Sequence, residues 1–258
     1  MSSSGTNTLK QFFIEIGGMT SFTFRFFRYF LLPPYEFGEI KKHMEELGVK
    51  TLPIVSVTGF LIGFVLALQT HPILARFGAE SVLPMMVALS VVRELGPVLT
   101  ALIFAGRVSS GIGAELGSMR VTEQIDAMEV SAIDPFKFLV VTRIIACTLI
   151  LPILTMYVNL IALIGSYISI VILQSMSLDL YIGDVVQSLG FVDILPAIGK
   201  TFFFGFIVGL VGSFKGFNAD KGTEGVGKAS TSSVVVSSLL ILVMDSVLVK
   251  ISLIIWPI

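Results

Sequence analysis

Thr51-Leu-Pro-Ile-Val-Ser-Val-Thr-Gly-Phe-Leu-Ile-Gly-Phe-Val-Leu-Ala-Leu-Gln-Thr-His-Pro-Ile-Leu-Ala75 contains no Asp, Glu, Lys or Arg from end to end. It exceeds the about 20 apolar residues that carry a helix across bilayer hydrocarbon, so residues 51–75 read as a transmembrane span. Within it, Gly59 and Gly63 form a Gly-x-x-x-Gly pair, which would let a neighbouring helix approach closely.

Four further stretches have the same character. Residues 81–106 form two uncharged runs separated by Arg93-Glu94, with Gly96-Pro97 just after the pair. Residues 194–214 carry Lys200 near their start, and 229–258 carry Asp245 and Lys250. The apolar run from Ile144 to Leu178 would make about 50 Å of helix. That length allows one long span, 144–173, with an outer extension, or a hairpin of two.

Basic residues separate these alternatives. With the N-terminus inside and five spans, Lys10, Arg25, Arg28, Lys41, Lys42, Lys50, Arg107, Arg120, Lys137, Arg143, Lys215, Lys221 and Lys228 are cytoplasmic, 13 of the 17 Lys and Arg. The outer loop around Asp179, Asp184 and Asp193 then has none. A hairpin would put Lys215, Lys221 and Lys228 outside. Five spans are expected.

Composition agrees with a membrane protein. Of 258 residues, 54% are hydrophobic and only 14% charged, with 24 Gly and a mean hydropathy of +0.93. Soluble domains carry roughly 25% charged residues, and disordered or collagen-like chains are far less apolar. The single cysteine, Cys147, excludes a disulfide within the chain. A net charge of -1 leaves no basic stripe for nucleic acid. His43 and His71 stand apart without metal-ligand spacing, so no metal site is expected.

Residues 9–32 mix Phe12, Phe13, Phe22, Phe24, Phe26, Phe27, Tyr29 and Phe30 with Lys10, Glu15, Arg25 and Arg28, then stop at Pro33-Pro34. Rings beside arginines suit an amphipathic helix lying in the headgroup layer. No small-residue cleavage pattern follows, so the segment is expected to be retained.

Three places could carry chemistry. Arg93 and Glu94 interrupt an apolar span, where each charge costs about 2.5–3.5 kcal/mol unless it faces protein or water. Neighbours on a helix diverge by about 100°, so the pair needs separate partners, and at least one residue is expected to line a cavity. Asp245, deep in the last span, invites the same two readings: a polar wall for an amphiphilic or ionic substrate, or an ion pair fixing helix packing. Residues 107–137 are the second place. They include Arg107, Glu115, Arg120, Glu123, Gln124, Asp126 and Glu129 and end at Asp134-Pro135, where the residue before proline disfavours helix. A short acidic helix between two spans suits docking of a soluble partner. The third, Gly222-Thr-Glu-Gly-Val-Gly227-Lys228-Ala229, fits a phosphate-loop spacing until Ala229 replaces the magnesium-ligating Ser or Thr. It follows no strand and is expected in a loop, 215–228, so nucleotide binding is not expected there. No catalytic residues are assigned, and an intramembrane enzyme is not expected.

Arg93-Glu-Leu-Gly-Pro97, Phe104-Ala-Gly-Arg107, Ala114-Glu-Leu-Gly117, Glu123-Gln-Ile-Asp-Ala-Met-Glu129 and Asp134-Pro135 resemble the MlaE/YrbE family of ABC-transporter permeases. So do Gly225-Val-Gly-Lys-Ala-Ser230 and the position of Asp245. The resemblance runs from about His43 to the end and is most specific between Arg93 and Lys137. It implies an all-α integral membrane protein, a single permease domain over 1–258 with an interfacial helix, five spans and a cytoplasmic coupling helix matching Val121 to Val130. It further implies a homodimer in a bacterial inner membrane, two cytoplasmic ATPase subunits, a periplasmic MCE-type binding protein and a phospholipid or related lipid as substrate. ATP and magnesium would belong to the partner ATPase, with no cofactor in this chain. Arg93, Glu94 and Asp245 would border the lipid cavity. Arg107, Glu115, Glu123, Gln124, Asp126 and Glu129 would serve ATPase coupling. Where some members have Arg ahead of the last span, this chain has Ser232. The alternatives are an ion-coupled secondary transporter with Glu94 and Asp245 as proton carriers, and a structural scaffold. The chain is short for an inverted-repeat carrier and has no second copy of the Arg-Glu-Gly-Pro pattern.

Overall fold

A computed structural model describes residues 3–33 and 35–255, with side chains from Phe13 onward. Pro34, the side chains of Lys10 and Phe12, and 256–258 of the last expected span lie outside the described residues. The described residues form helices and no strands, and five helical rods are long and apolar enough to cross a membrane.

Helix α1 spans Ser3–Phe30 and α2 Phe37–Arg76. The second rod, Glu80–Val121, is continuous: after a 3-10 turn come α3 (Leu83–Ser90), a π turn (Val91–Leu95), α4 (Gly96–Phe104), a second π turn (Ala105–Ser109) and α5 (Ser110–Val121). Then follow α6 (Gln124–Val130), a π turn (Phe136–Val141), α7 (Thr142–Gln174), α8 (Leu178–Ser188), α9 (Phe191–Phe217) and α10 (Thr223–Ile255).

The apolar stretches mark the spans, but the helices outrun them. Helix α2 begins at Phe37 because the polar stretch before Thr51 continues the same helix, and the second rod runs on through Val121. The run from Ile144 is one helix, α7, as the basic-residue count requires. It stops at Ser175, whose φ of 52° leaves the helical region. The Ser177 hydroxyl then accepts the Leu180 N–H at 3.4 Å and starts α8, an element not foreseen from the sequence. Tyr181 pins α8 to α7 by hydrogen bonds to the Ser166 hydroxyl at 2.6 Å and the Leu163 carbonyl at 2.9 Å. Burial pushes its phenol above the usual value, the Ser166 hydrogen bond opposing.

One expectation is corrected. The segment 215–228 is not a loop: α9 continues to Phe217, and the glycine-rich motif opens α10. Gly222, at φ 93°, makes the turn that brings the chain back within residues 218–222. The phosphate-loop pattern is thereby absorbed into a helix start.

Helix α7 packs against both α2 and α9, while α9 and α10 pack on each other and on α5. Phe104, Leu116, Leu151, Phe204 and Val208 are fully buried between them. The Gly59/Gly63 pair does what its spacing suggests. A Cβ on Gly63 would penetrate the Ala162 carbonyl, and one on Gly59 would lie 3.0 Å from Val158 Cγ1. Absence of side chains here lets α2 and α7 meet backbone to backbone.

Helix α1 packs against the π turn at Phe136–Val141 and against α9. Phe22 and Phe26 are buried among Phe136, Phe206, Phe214 and Phe217, and Arg25 stacks over Phe136 at 4.2 Å. Glu15 pairs with Lys215; Phe13, Phe24, Phe27 and Phe30 are exposed, although Phe27 stacks on Phe206 and Phe30 on Phe26.

Candidate functional site

The charges inside the bundle find one another. At the first π turn the Gly96 N–H donates to the Val91 carbonyl, five residues back, just before Pro97, which has no N–H to give. Arg93 and Glu94 leave this turn in different directions. Arg93 Nε donates to Asp193 Oδ1 at 2.7 Å. Asp193 sits in the first turn of α9 and also accepts the Gly190 N–H at 2.8 Å, so one carboxylate caps a helix and holds an arginine. Glu94 Oε2 accepts from Lys200 Nζ at 2.6 Å, and the same ammonium donates to Asp245 Oδ1 at 3.1 Å.

Arg93, Lys200 and Asp245 lie at one level. Arg93 is ten residues past the start of α3, Lys200 nine past the start of α9 and Asp245 ten before the last described residue of α10, about 14–15 Å of helix rise in each case. The Lys200 side chain is 5% exposed, Asp245 18% and Glu94 45%. Two cations face three carboxylates, and the surplus negative charge sits beside the most open member, Glu94.

Beside the cluster is a cavity of about 80 Å³ bordered by Arg93, Glu94, Asp193, Pro196, Lys200 and Ser252. A water's share of liquid volume is about 30 Å³, so this space suits small polar groups and not a whole lipid. An open apolar groove of about 370 Å³ runs along Leu61, Ile62, Val65, Leu66, Gln69 and Leu95. The second rod contributes to both, with Arg93 and Glu94 in the cluster and Leu95, about 100° further round the helix, in the groove.

The sequence singled out Arg93, Glu94 and Asp245, and the fold brings all three into this cluster. It missed Lys200 and Asp193 as their partners. The available signal was charge balance: Lys200 is a lone cation in an apolar span, as Asp245 is a lone anion.

The residues named for coupling divide into two groups. Glu123, Gln124, Asp126 and Glu129 are exposed on or just before α6, which Ile125 anchors by complete burial. Glu123 has a φ of 58° and sets the sharp entry to α6; Arg120 Nη1 donates to Asp126 Oδ1 at 2.6 Å. Val130 is 90% exposed at the far end. Asp134 then accepts the N–H groups of Phe136 and Lys137 at 3.0 and 3.2 Å and starts the third rod. Arg107 and Glu115, by contrast, lie along the second rod. Arg107 Nη1 donates to Thr51 Oγ1 at 2.6 Å, and Glu115 Oε1 accepts from Arg143 Nη2 at 2.7 Å.

Comparison with known proteins agrees with this architecture. A family model described as "Permease MlaE" matches residues 40–251, which includes most or all of each of the five rods. A probable ABC transporter permease of Rickettsia typhi is 38% identical over 239 residues, covering 93% of this chain and 92% of the relative. The intermembrane phospholipid transport system permease protein MlaE of Haemophilus influenzae is 36% identical over 216 residues, 83% of each chain. The chloroplastic protein TRIGALACTOSYLDIACYLGLYCEROL 1 of Arabidopsis thaliana is 32% identical over 207 residues, 80% of this chain and 59% of the relative. With five membrane-length rods and a family match across them, the chain is a multi-pass membrane protein that belongs to the MlaE permease family.

Proposed function

We propose that this chain is the permease subunit of an ABC-type transporter that moves phospholipid between the inner and outer membranes of a bacterial envelope. It resides in the inner membrane as a homodimer, with the α6 end in the cytoplasm and α1 in the headgroup layer. A cytoplasmic ATPase dimer binds ATP and magnesium and docks on α6. A periplasmic MCE-domain protein exchanges lipid at the α8 end.

The observation that carries this reading is the Arg93–Asp193 and Glu94–Lys200–Asp245 cluster inside the bundle, together with an uncovered apolar groove to which the same rod contributes Leu95. A headgroup needs polar partners and acyl chains need hydrocarbon, and the second rod helps to form both. The small cavity in one chain directs the lipid to a larger space shared by two copies. Exposed Ile54, Val57, Leu61 and Val65 on α2, and Val235, Leu239 and Val243 on α10, leave apolar faces for lipid or the second copy.

Transport then needs no chemistry on this chain. Nucleotide-driven motion of the ATPase is transmitted through α6, anchored by Ile125, into the second rod, which also carries Arg93 and Glu94. The test is purification in mild detergent with bound components identified by mass spectrometry. Recovery of two permease copies with an ATPase and phospholipid is expected; a lone, lipid-free monomer would refute the proposal.

A further inference from the structure

A second pocket, of about 210 Å³, opens at the α6 end, remote from the Lys200 cluster. Its walls are α2, the second rod and α7, and its polar lining is His43, Glu46, Lys50, Arg107, Glu115 and Arg143. The volume far exceeds the about 10–15 Å³ that admits a single water.

The lining is electrostatically unbalanced. Lys50 pairs with Glu46, and Arg143, 5% exposed, pairs with Glu115 and donates to the Leu139 carbonyl at 2.9 Å. Arg107 has no carboxylate partner among the described residues; its guanidinium donates to the neutral Thr51 hydroxyl. Three permanent cations therefore face two carboxylates, and the surplus positive charge lies on a half-buried arginine. A guanidinium offers five N–H donors in a planar fork that matches phosphate oxygens. The Lys200 cluster has the opposite surplus, so the two ends differ in their attraction for a phosphate.

Position identifies the ligand. Thr51 begins the charge-free stretch of α2, Arg107 follows the last uncharged residue of the second apolar run, and Arg143 precedes Ile144 at the start of the third. All three mark the level where hydrocarbon ends and headgroups begin. We propose that this pocket binds the phosphate of an anionic lipid headgroup drawn from the leaflet at the α6 end, with Arg107 and Arg143 as its principal donors. The choice of a lipid over free phosphate rests on the permease reading above.

The test is thermal stabilisation of the full detergent-solubilised chain by dihexanoyl phosphatidylglycerol, with dihexanoyl phosphatidylcholine and inorganic phosphate as separate arms. Phosphatidylglycerol should stabilise with saturation, at lower concentration than the other two. Arg107→Gln should raise its half-saturating concentration about tenfold or more, as loss of a charge-assisted hydrogen bond does. Glu115→Gln should lower it, because Arg143 loses its competing carboxylate. Opposite shifts in the two variants cannot come from general loss of folding. An unchanged half-saturation in Arg107→Gln, or equal response to phosphatidylcholine, would overturn the proposal. Inorganic phosphate acting at the same concentration as phosphatidylglycerol would overturn the headgroup assignment. Binding is read without nucleotide, so a chain that binds here yet transfers no lipid refutes the permease reading and leaves this one standing.

Discussion

Glu94→Gln and Asp245→Asn should be tolerated singly and damaging together. Lys200 Nζ holds Glu94 at 2.6 Å and Asp245 at 3.1 Å, so either single variant leaves the buried ammonium one carboxylate. Each should cost no more than about 1.5–2 kcal/mol, the lower part of the range for a hydrogen bond to a charged group. Glu94 should be the cheaper, because its 45% exposed side chain is screened while that of Asp245 is 18% exposed. The double variant strands a 5% exposed charge without either of its carboxylates, which costs about 3–5 kcal/mol in all. Against a total stability of about 5–15 kcal/mol, much of the protein should be lost from the membrane. Adding Lys200→Met removes the stranded charge and should restore abundance, since an apolar replacement of a complete buried ion network is commonly neutral or better. Thermal melting in detergent, with abundance in isolated membranes, gives the cycle. Strict additivity of the singles, with no rescue by Lys200→Met, would refute the idea that one ammonium binds the two carboxylates. The rescued triple variant should fold, bind its ATPase and fail to move lipid, which separates the packing role of the cluster from its transport role.

In a Cys147-free background, cysteine at position 184 should be labelled only from the periplasm and cysteine at 221 only from the cytoplasm; the reverse pattern would invert the topology. Glu123→Lys with Glu129→Lys should release the ATPase in a pull-down while the permease still inserts, because neither carboxylate has an ion-pair partner among the described residues; undiminished recovery would remove α6 from docking. Gly63→Val should destabilise by about 1–3 kcal/mol or more in a detergent melt, since its Cβ has no room beside Ala162, whereas Gly17→Val, in open space, should not.

Much of the bundle was legible because hydrocarbon imposes a length and a composition on each span. Charge-free runs such as Thr51–Ala75 fall within the five membrane-length rods, and basic-residue asymmetry chose one long α7 over a hairpin. The same signal is silent on where helices end. Glu39 to Lys50 include six charged residues yet are helical, since a helix leaving the bilayer need not be apolar on every face to continue. Helix α8 was invisible for a related reason: it is short, and its place depends on the Tyr181 contacts with α7, which no local pattern encodes. The glycine-rich motif misled because spacing alone cannot distinguish a loop from a helix start.

The site was half legible. An ionisable group in an apolar run announces itself by its cost, which flagged Arg93, Glu94 and Asp245. Assigning partners needs helix order and depth, and only the fold puts Lys200 and Asp193 beside them. Arg107 and Glu115 were grouped with α6 by proximity in sequence, but one continuous rod carries them back to Thr51 and Arg143.

The central claim is that nucleotide hydrolysis by a partner drives phospholipid through this chain. Its most direct test places the purified complex in vesicles with labelled phospholipid and follows transfer to the MCE-domain acceptor with and without ATP. Transfer that requires ATP, stops in the Glu94/Asp245/Lys200 triple variant and persists when ion gradients are collapsed is the predicted result. Transfer driven by a proton gradient without nucleotide would contradict it and establish the ion-coupled carrier instead.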